Sequence, residues 1–227
     1  MAIQDIFRSV LAYDEEEVAR LVREEVAAGT NVKTVLDKGL ISALDEIGAK
    51  FAAGIVFVPE MLMAAEAVQA GLDILRPLLI NTGAKPTGTI ILGTVKGDLH
   101  DIGKNLVGMM FEGAGFKLID LGTDVDPEAF ITAAQENEAD IIALSGLLTT
   151  SMPEMTKAVA AARAAVKNRN IRVKIMVGGP PVNQEFADKI GADAYGMDAP
   201  AAVEKARAIM AAARETDRGR TDARDMA

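Results

Sequence analysis

The pattern that most constrains the fold begins at residue 89, where short apolar runs rich in β-branched residues start to alternate with segments of helical spacing. Strands are predicted at 89–95, 117–122, 140–146, 172–179 and 194–196, and helices at 102–113, 127–137, 152–167, 183–190 and 200–213. A helix after every strand favours parallel pairing, with helices on both faces of the sheet. The sequence therefore predicts an α/β domain with a doubly wound, Rossmann-like (flavodoxin-like) parallel sheet of five strands.

The preceding residues, 1–80, are predicted to be helical throughout, because their apolar residues recur at helical spacing. The spacing gives four helices, from Ile3 to Leu11, from Asp14 to Gly29, from Asn31 to Phe51 and from Pro59 to Leu79. The second begins with Asp14 and has Glu17 three residues later, as in a capping box. Four helices with short connections favour a small antiparallel bundle.

Two boundaries follow from composition. The turn-rich segment 81–88 (NTGAKPTG) separates the helices from the first strand. Residues 214–227 mix charges without apolar periodicity, which is typical of disorder. We therefore predict a helical domain with its linker at 1–88, an α/β domain at 89–213 and a disordered tail at 214–227.

Charge and residue usage narrow the function classes. The 227 residues carry a formal net charge of −9, whereas a nucleic-acid interface needs a basic face. The chain has no cysteine, which excludes disulfides and thiolate metal sites and fits a reducing compartment. The first residues lack the basic segment of a signal peptide, and charged residues interrupt the one helix long enough to span a bilayer. We expect a cytoplasmic protein whose partners are proteins or small molecules, and we expect it to bind neither a membrane nor nucleic acid.

The single histidine, His100, follows the first predicted strand in the stretch GTVKGDLHDIGKN (93–105). Ligands of α/β folds bind at the carboxyl ends of strands. Asp98 is near enough in sequence to accept the Nδ1 proton of His100, which would leave Nε2 free for a metal. On spacing alone, an ordinary polar loop residue is the more frequent case. A zinc ion would need three or four protein ligands, so a metal at His100 requires a cofactor to fill its other positions.

Three further features each allow a structural interpretation. Ser151, with Glu154 three residues later, fits the N-cap of the next helix. Gly178 and Gly179 fit an ordinary turn between a strand and a helix. In the stretch FAAGIVFVPEMLM (51–63), the large apolar residues fit the core of the helical domain, and this is the expected role of most of them; they are Phe51, Phe57, Val58, Met61 and Met63.

The pattern Asp98-x-His100-x-x-Gly103, followed by Ser145-x-Leu147 and then by Gly178-Gly179, resembles the cobalamin-binding signature of corrinoid proteins and of methionine synthase. The resemblance covers about residues 5–213. In that family the histidine replaces the cofactor's own base beneath the cobalt, the base-off/His-on state. The resemblance therefore implies that cobalamin is the cofactor and that His100 is the ligand of its cobalt.

The resemblance also implies the other cofactor-binding residues. In the α/β domain they are Gly97, Asp98, Leu99, His100, Asp101, Ile102, Gly103, Ser145, Leu147, Thr149, Ser151, Gly178, Gly179 and Ala199. Ser145 and Thr149 would contact the corrin side and nucleotide tail, Ser151 would hydrogen-bond Asp98, and the two glycines would open a slot for the tail. In the helical domain, Phe51 and Val58 would cap the upper face of the cobalt, although Val58 is smaller than the leucine expected there.

The function that the resemblance implies is that of a non-catalytic methyl carrier in a methyltransferase system, with methylcobalamin as its loaded state. Its partners would be a substrate-specific methyltransferase, a second methyltransferase that acts on a thiol or folate acceptor, and a reductive activase. Two other classes share the signature: the binding subunit of an adenosylcobalamin-dependent mutase and a cobalamin-sensing regulator. The mutase subunit is not expected to carry the four-helix cap, and the regulator needs a basic DNA-reading region.

Overall fold

The computed structural model describes residues 2–81, 86–168 and 171–225, with side chains for 3–79, 86–168 and 171–215. Contacts within the chain divide it into two compact units. The helical unit contains the described residues up to Pro86 together with Asn105–Lys117, and the α/β unit contains Thr87–Lys104 and the described residues from Leu118 onwards. The predicted linker falls in part on residues 82–85, which lie outside the described residues.

The helical unit follows the predicted succession of helices. Its elements are α1 (Ala2–Leu11), α2 (Glu15–Ala27), α3 (Val32–Val35), a π-helical segment (Leu36–Ile41), α4 (Ser42–Ala52) and α5 (Val58–Asn81). Asp14 caps α2 as predicted, since its side chain accepts a hydrogen bond from the Glu17 N–H at 3.0 Å. The predicted third helix is continuous but changes to π-helical geometry around Gly39, where a β-carbon would lie 3.0 Å from Ile6 Cγ2. The core of this unit includes the buried side chains of Ile6, Leu40, Ile47, Met61 and Leu75.

The helix after the first strand, α6 (Ile102–Gly113), is divided between the units. Its Gly113 packs so closely on the Leu44 and Val68 side chains that a β-carbon would overlap Leu44. Glu112 accepts a hydrogen bond from Arg76 Nη2 at 2.9 Å. Residues 105–117 therefore group with the helical unit, although the sequence pattern places them in the α/β domain.

The described residues of the α/β unit, with Lys117, form one five-stranded sheet. Its strands are β1 (Thr89–Thr94), β2 (Lys117–Asp120), β3 (Ile141–Ser145), β4 (Lys174–Gly178) and β5 (Ala194–Gly196), in the order β2-β1-β3-β4-β5. The pairings of β1 with β3, β3 with β4 and β4 with β5 are parallel, and they align Thr94 with Ser145, Ser145 with Gly178 and Gly178 with Gly196. The predicted doubly wound parallel sheet is confirmed.

The remaining helices are α7 (Pro127–Glu136), α8 (Met152–Asn168), α9 (Gln184–Ile190) and α10 (Ala199–Asp225), and a 3₁₀ turn at Thr149–Ser151 precedes α8. Here α10 continues to Asp225, whereas the sequence predicts a helix end at residue 213 and a disordered tail beyond it. Arginine, the commonest residue of the added segment, is a good helix former, while the predicted disorder rests on a lack of apolar residues.

The strand order places β1 beside β3, with β2 on the other side of β1. In a doubly wound sheet this is the point where the strand order reverses. A crevice opens there, outside the carboxyl ends of the strands. The loops that follow β1 and β3 border this crevice. Among the helices that the structure describes, none combines the length and hydropathy needed to cross a membrane.

Candidate functional site

The loop that follows β1 runs from Val95 to Asp101 and starts at the reversal point of the sheet. Gly97 has a φ of +80°, a left-handed conformation that favours glycine. The end of the loop is fixed by Thr94, whose hydroxyl donates a hydrogen bond to the His100 carbonyl oxygen at 2.9 Å. The loop therefore turns back so that Asp98 and His100 lie beside the end of β1.

The Asp98 carboxylate is the centre of this loop and is fully buried. Its Oδ1 accepts hydrogen bonds from the His100 N–H at 3.1 Å and from His100 Nδ1 at 2.7 Å. Its Oδ2 accepts from the backbone N–H groups of Leu147 at 2.7 Å and Leu148 at 3.1 Å. The Ser151 hydroxyl oxygen lies 3.0 Å from the same Oδ2. One buried carboxylate thus joins the loop after β1 to the loop after β3.

The protonation of Asp98 follows from these contacts. Burial of the carboxyl favours its neutral form and raises its pKa. The hydrogen bonds from the Leu147 N–H, from the His100 ring and N–H, and from the Leu148 N–H act in the opposite direction and outweigh burial, so the pKa of Asp98 lies well below its usual range. Asp98 is therefore a carboxylate that can only accept hydrogen bonds.

This charge state decides the tautomer of His100. Because Asp98 Oδ1 can only accept, His100 Nδ1 carries a proton, and in the neutral ring the lone pair is then on Nε2. The His100 side chain is 52% exposed, and among the described residues no hydrogen bond to Nε2 is formed. No group of three or more His, Cys, Asp or Glu side chains in the described part of the chain could hold a metal ion. His100 can therefore offer one nitrogen to a metal whose other ligands come from elsewhere.

Ser151 has a role different from the helix cap that its spacing with Glu154 suggests. It is buried in the 3₁₀ turn, and its hydroxyl oxygen lies 2.7 Å from the Leu148 carbonyl oxygen as well as 3.0 Å from Asp98 Oδ2. Its single proton can be donated to either acceptor. The contact with Asp98 is the one that the resemblance implies for this serine.

Gly178 ends β4, Gly179 follows it, and both lie beside the start of the loop after β3. Gly179 has a φ of +124°, and a β-carbon on it would overlap the carbonyl oxygen of Gly146. The Gly146 N–H donates a hydrogen bond to the Gly178 carbonyl oxygen at 3.2 Å. The glycine at 179 is thus required by backbone packing, and the two loops approach each other more closely than side chains would permit.

The loops at the carboxyl ends of the strands expose large apolar side chains. These are Leu99, Ile102, Leu147, Leu148 and Met197. Leu148 and Met197, the latter 72% exposed, were not predicted as site residues, and only their place after a strand could have indicated them. Such exposure is costly in water, since an apolar side chain gains about 1.5–3 kcal/mol when it is buried. The carboxyl edge of the sheet is therefore suited to a large, mainly apolar ligand.

The other predicted residues of the α/β unit occupy the same edge in different ways. Ser145 ends β3, and its carbonyl oxygen accepts the Val95 N–H at 2.9 Å. Asp101, Gly103 and Thr149 are exposed, and a β-carbon on Gly103 would meet no atom within 4 Å. Ala199, in contrast, is buried at the first position of α10. The structure thus brings Asp98, His100, Leu147 and Ser151 into one network and leaves Ala199 outside its contacts.

In the helical unit, the predicted cap residues lie at the junction of α4 and α5. Phe51 is half-buried in the last turn of α4, and Val58 begins α5. The expectation that most of the apolar residues here form core is wrong, because Ile55, Phe57, Val58 and Met63 are exposed and only Met61 of the predicted core set is fully buried. The Phe57 N–H donates to Glu60 Oε2 at 3.0 Å, which fixes the start of α5 with Phe57 pointing out of the core.

Comparisons with known proteins agree with this site. The B12 binding domain family matches residues 88–204, and a second B12 binding domain family matches residues 2–76. The chain belongs to the corrinoid proteins of methyltransferase systems. It is 39% identical over 213 residues to a corrinoid protein of Desulfitobacterium hafniense, with 92% of this chain and 97% of the relative covered. It is 40% identical over 206 residues to trimethylamine corrinoid protein 1 of Methanosarcina acetivorans, with 89% and 94% covered.

A solved structure extends the match to three dimensions. The methanol:cobalamin methyltransferase complex MtaBC of Methanosarcina barkeri contains a chain that matches this corrinoid protein with a TM-score of 0.78 at 28% identity, over 92% of this chain and 80% of that one. The family membership decides between the three functional classes that the signature allowed, in favour of the methyltransferase systems. As a corrinoid protein, the chain binds cobalamin.

The residues at the carboxyl edge of the sheet fit that cofactor. A corrin ring would supply the other ligands of its own cobalt, so the protein would need to offer only one nitrogen, and the half-exposed imidazole of His100 could offer Nε2. The large apolar side chains around this loop fit the hydrocarbon surface of the ring. The corrinoid protein therefore has a donor set that suits a macrocycle and would not suit a bare metal ion.

Proposed function

We propose that this corrinoid protein carries a methyl group from a substrate-specific methyltransferase to a second methyltransferase that acts on a thiol or folate, with His100 Nε2 as the lower ligand of the cobalt in the base-off/His-on state. The bound corrinoid supplies the metal that accepts and releases the methyl group. The observation that carries the proposal is the exposed Nε2 of an imidazole whose Nδ1 is held 2.7 Å from a buried carboxylate.

The residues around His100 would set both the direction and the basicity of this ligand. Asp98 holds the Nδ1 proton, and a carboxylate in that position raises the donor strength of the other nitrogen. The Leu147 and Leu148 N–H groups and the Ser151 hydroxyl hold Asp98 in turn. The network would thus direct one imidazole nitrogen of His100 at the cofactor.

The ligand assignment can be tested without any activity assay. Because His100 is the only histidine of the chain, a tag-free protein grown on ¹⁵N-labelled histidine carries the label at one side chain only. Electron paramagnetic resonance of the bound cobalt(II) form should show a triplet nitrogen splitting with unlabelled histidine and a doublet with the label. His100→Ala should bind cobalamin more weakly and lose this splitting. A splitting that does not respond to the label would overturn the assignment.

For the helical unit, we propose that Phe51 and Val58 shield the upper face of the cofactor. The support is the exposed apolar surface at the junction of α4 and α5, where Val58 is 42% exposed. Phe51→Ala should make added methylcobalamin lose its methyl group faster under light, whereas Val58→Leu, with a larger side chain, should slow the loss. Melting curves of both variants provide the control for folding. Equal rates in the wild type and in both folded variants would contradict the shielding role.

The partner proposal draws on the relatives. One solved structure similar to this chain is a methanol:cobalamin methyltransferase complex, and several relatives are named as corrinoid proteins for trimethylamine or dimethylamine. We expect this chain to bind a methyltransferase in the same way, to pass the methyl group to a second one, and to depend on a reductive activase. Methyl transfer from methanol, trimethylamine or dimethylamine, each with its methyltransferase added, would identify the donor. Binding of none of the three enzymes would contradict the proposal for these donors.

A further inference from the structure

The loop that carries Asp98 and His100 is also held from behind, by the loop that follows β2. Thr94 donates its N–H to the Gly122 carbonyl oxygen at 2.9 Å, and Val125 donates to the Thr94 carbonyl oxygen at 3.0 Å. Val95 and Val125 form a parallel bridge. The polypeptide from Gly122 to Asp126 therefore continues the pairing beyond the ends of β1 and β2 and lies along the start of the His100 loop.

Within this segment, Asp124 binds two consecutive residues of the His100 loop. Its carboxylate Oδ1 accepts the Gly97 N–H at 2.8 Å. Its own N–H donates to the Asp98 carbonyl oxygen at 3.0 Å. The side chain of Asp98 is held by the loop after β3, and its N–H donates to the Val95 carbonyl oxygen within its own loop at 3.2 Å, so Asp124 supplies the contact that ties the Asp98 backbone to the loop after β2. Both ends of the Gly97-Asp98 segment are then fixed.

The backbone of Asp124 is unusual in a way that fits this role. Its φ is +55°, in the left-handed region that few residues other than glycine adopt, although aspartate and asparagine do so more readily than most. A glycine at 124 would accept this φ without strain but could not bind the Gly97 N–H. The aspartate therefore combines the backbone conformation with the acceptor that reaches Gly97.

We propose that Asp124 is a positioning residue for the cobalt ligand: by holding the backbone of Gly97 and Asp98, it fixes where His100 stands, two residues further on. This inference rests on the proposed role of His100. Asp126 provides the matched control, because it contacts the same loop from the same segment, but through an exposed ion pair of 2.6 Å with the Lys96 side chain. Among the described residues, Asp126 forms no hydrogen bond to the backbone of Gly97 or Asp98, so its loss should leave His100 in place.

The variants separate the acceptor from the backbone conformation. Asp124→Gly keeps the φ and removes the acceptor, and Asp124→Asn keeps both the φ tolerance and an acceptor oxygen. Amide exchange of Gly97 in the cofactor-free protein reports on the hydrogen bond itself. Electron paramagnetic resonance of bound cobalt(II), with labelled histidine, reports on His100. We expect Asp124→Gly to speed exchange at Gly97, to reduce the histidine-bound fraction and to weaken cobalamin binding by about tenfold, while Asp124→Asn and Asp126→Ala stay within about twofold of the wild type.

The outcomes distinguish this proposal from the one on which it rests. If the wild type shows no histidine splitting, the role of His100 is wrong, and Gly97 exchange still decides whether Asp124 holds the loop. If folded Asp124→Gly keeps the wild-type splitting, affinity and exchange, Asp124 has no positioning role. An equal loss in Asp124→Asn or Asp126→Ala would also overturn it. Should Asp124→Gly fail to fold, Asp124→Ala serves instead, because its side chain has no acceptor for the Gly97 N–H.

Discussion

The loop after β1 and the junction of α4 and α5 differ in what they bury: the loop buries a charged group, whereas the junction exposes apolar side chains. In the loop, the fully buried Asp98 carboxylate accepts hydrogen bonds from the His100 ring and from three further residues, which are Leu147, Leu148 and Ser151. At the junction, apolar side chains are left in contact with water, with Phe57 62% exposed. The first region is organised by directional bonds before any ligand is present, and the second offers a surface whose burial gains free energy only when something covers it.

This difference assigns distinct tasks to the two regions. A metal ligand must be held in position and orientation, and hydrogen bonds impose both. A shielding surface needs only to exclude water, and non-directional apolar contact is sufficient for that. Mutations should therefore separate the regions: changes in the loop should affect the cofactor-free protein itself, whereas changes of exposed residues at the junction should leave its stability nearly unchanged.

The largest effect is expected for Asp98→Ala. The substitution removes the acceptor of the partly buried Leu147 and Leu148 N–H groups and of the buried Ser151 hydroxyl, and buried donors without a partner cost about 1–3 kcal/mol each. The free energy of unfolding of the cofactor-free protein should fall by about 3–5 kcal/mol, as measured by urea titration. Asp126→Ala, which removes an exposed ion pair, should cost less than about 1 kcal/mol. Similar losses in the two variants would show that the Asp98 network does not stabilise the loop.

The next largest effect is the difference in stability loss between a buried and an exposed residue of the junction. Met61 is fully buried and Phe57 is exposed, although they are four residues apart. Met61→Ala should lower the free energy of unfolding by about 3 kcal/mol through loss of burial and formation of a cavity. Phe57→Ala should change it by no more than about 0.5 kcal/mol. A loss of about 2 kcal/mol or more in Phe57→Ala, as expected for a core residue, would mean that Phe57 belongs to the core of the unit.

What the sequence predicts, and what it misses, follows the range of the interactions. The parallel sheet follows from local periodicity, and the cap of α2 by Asp14 follows from a three-residue spacing. The Asp98–His100 pair is also local. In contrast, the N–H groups of Leu147 and Leu148 that bind Asp98 are main-chain donors, which any residue type supplies, so no residue pattern marks them. Asp124 lies 27 residues from Gly97, and its role depends on strand order.

The exposed residues of the junction were mispredicted for a related reason. Helical spacing shows which residues share a face, but it does not show where one helix ends and the next begins. The bond from the Phe57 N–H to Glu60 starts α5 at Val58 and leaves Phe57 outside the helix. In the same way, periodicity predicts α6 but not the unit with which its second half packs, since that depends on Leu44 and Val68 meeting Gly113.

The smallest expected effect is on the pH dependence of stability, and it compares a carboxyl group of each unit, Asp98 and Glu112. Whereas hydrogen bonds hold the pKa of Asp98 low, burial of Glu112 in the helical unit raises its pKa above the ordinary 4.5, and the charge and hydrogen bond of Arg76 offset this only in part. The folded protein therefore binds a proton at Glu112 more tightly than the unfolded chain does. Stability from this group is present below pH 4.5 and falls as the pH rises through the raised folded pKa.

Urea titrations from pH 4 to about pH 7 on the cofactor-free protein would measure this slope. Glu112→Gln should remove the fall, because glutamine does not titrate, so the difference between wild type and variant should change with pH in favour of the variant. Arg76→Met should steepen the fall, since it removes the positive charge that lowers the pKa of Glu112. If stability instead changes through this range by the same amount in Glu112→Gln and the wild type, Glu112 does not hold its proton more tightly in the folded protein. The pKa of Glu112 would then not be raised, and the contrast with Asp98 would fail.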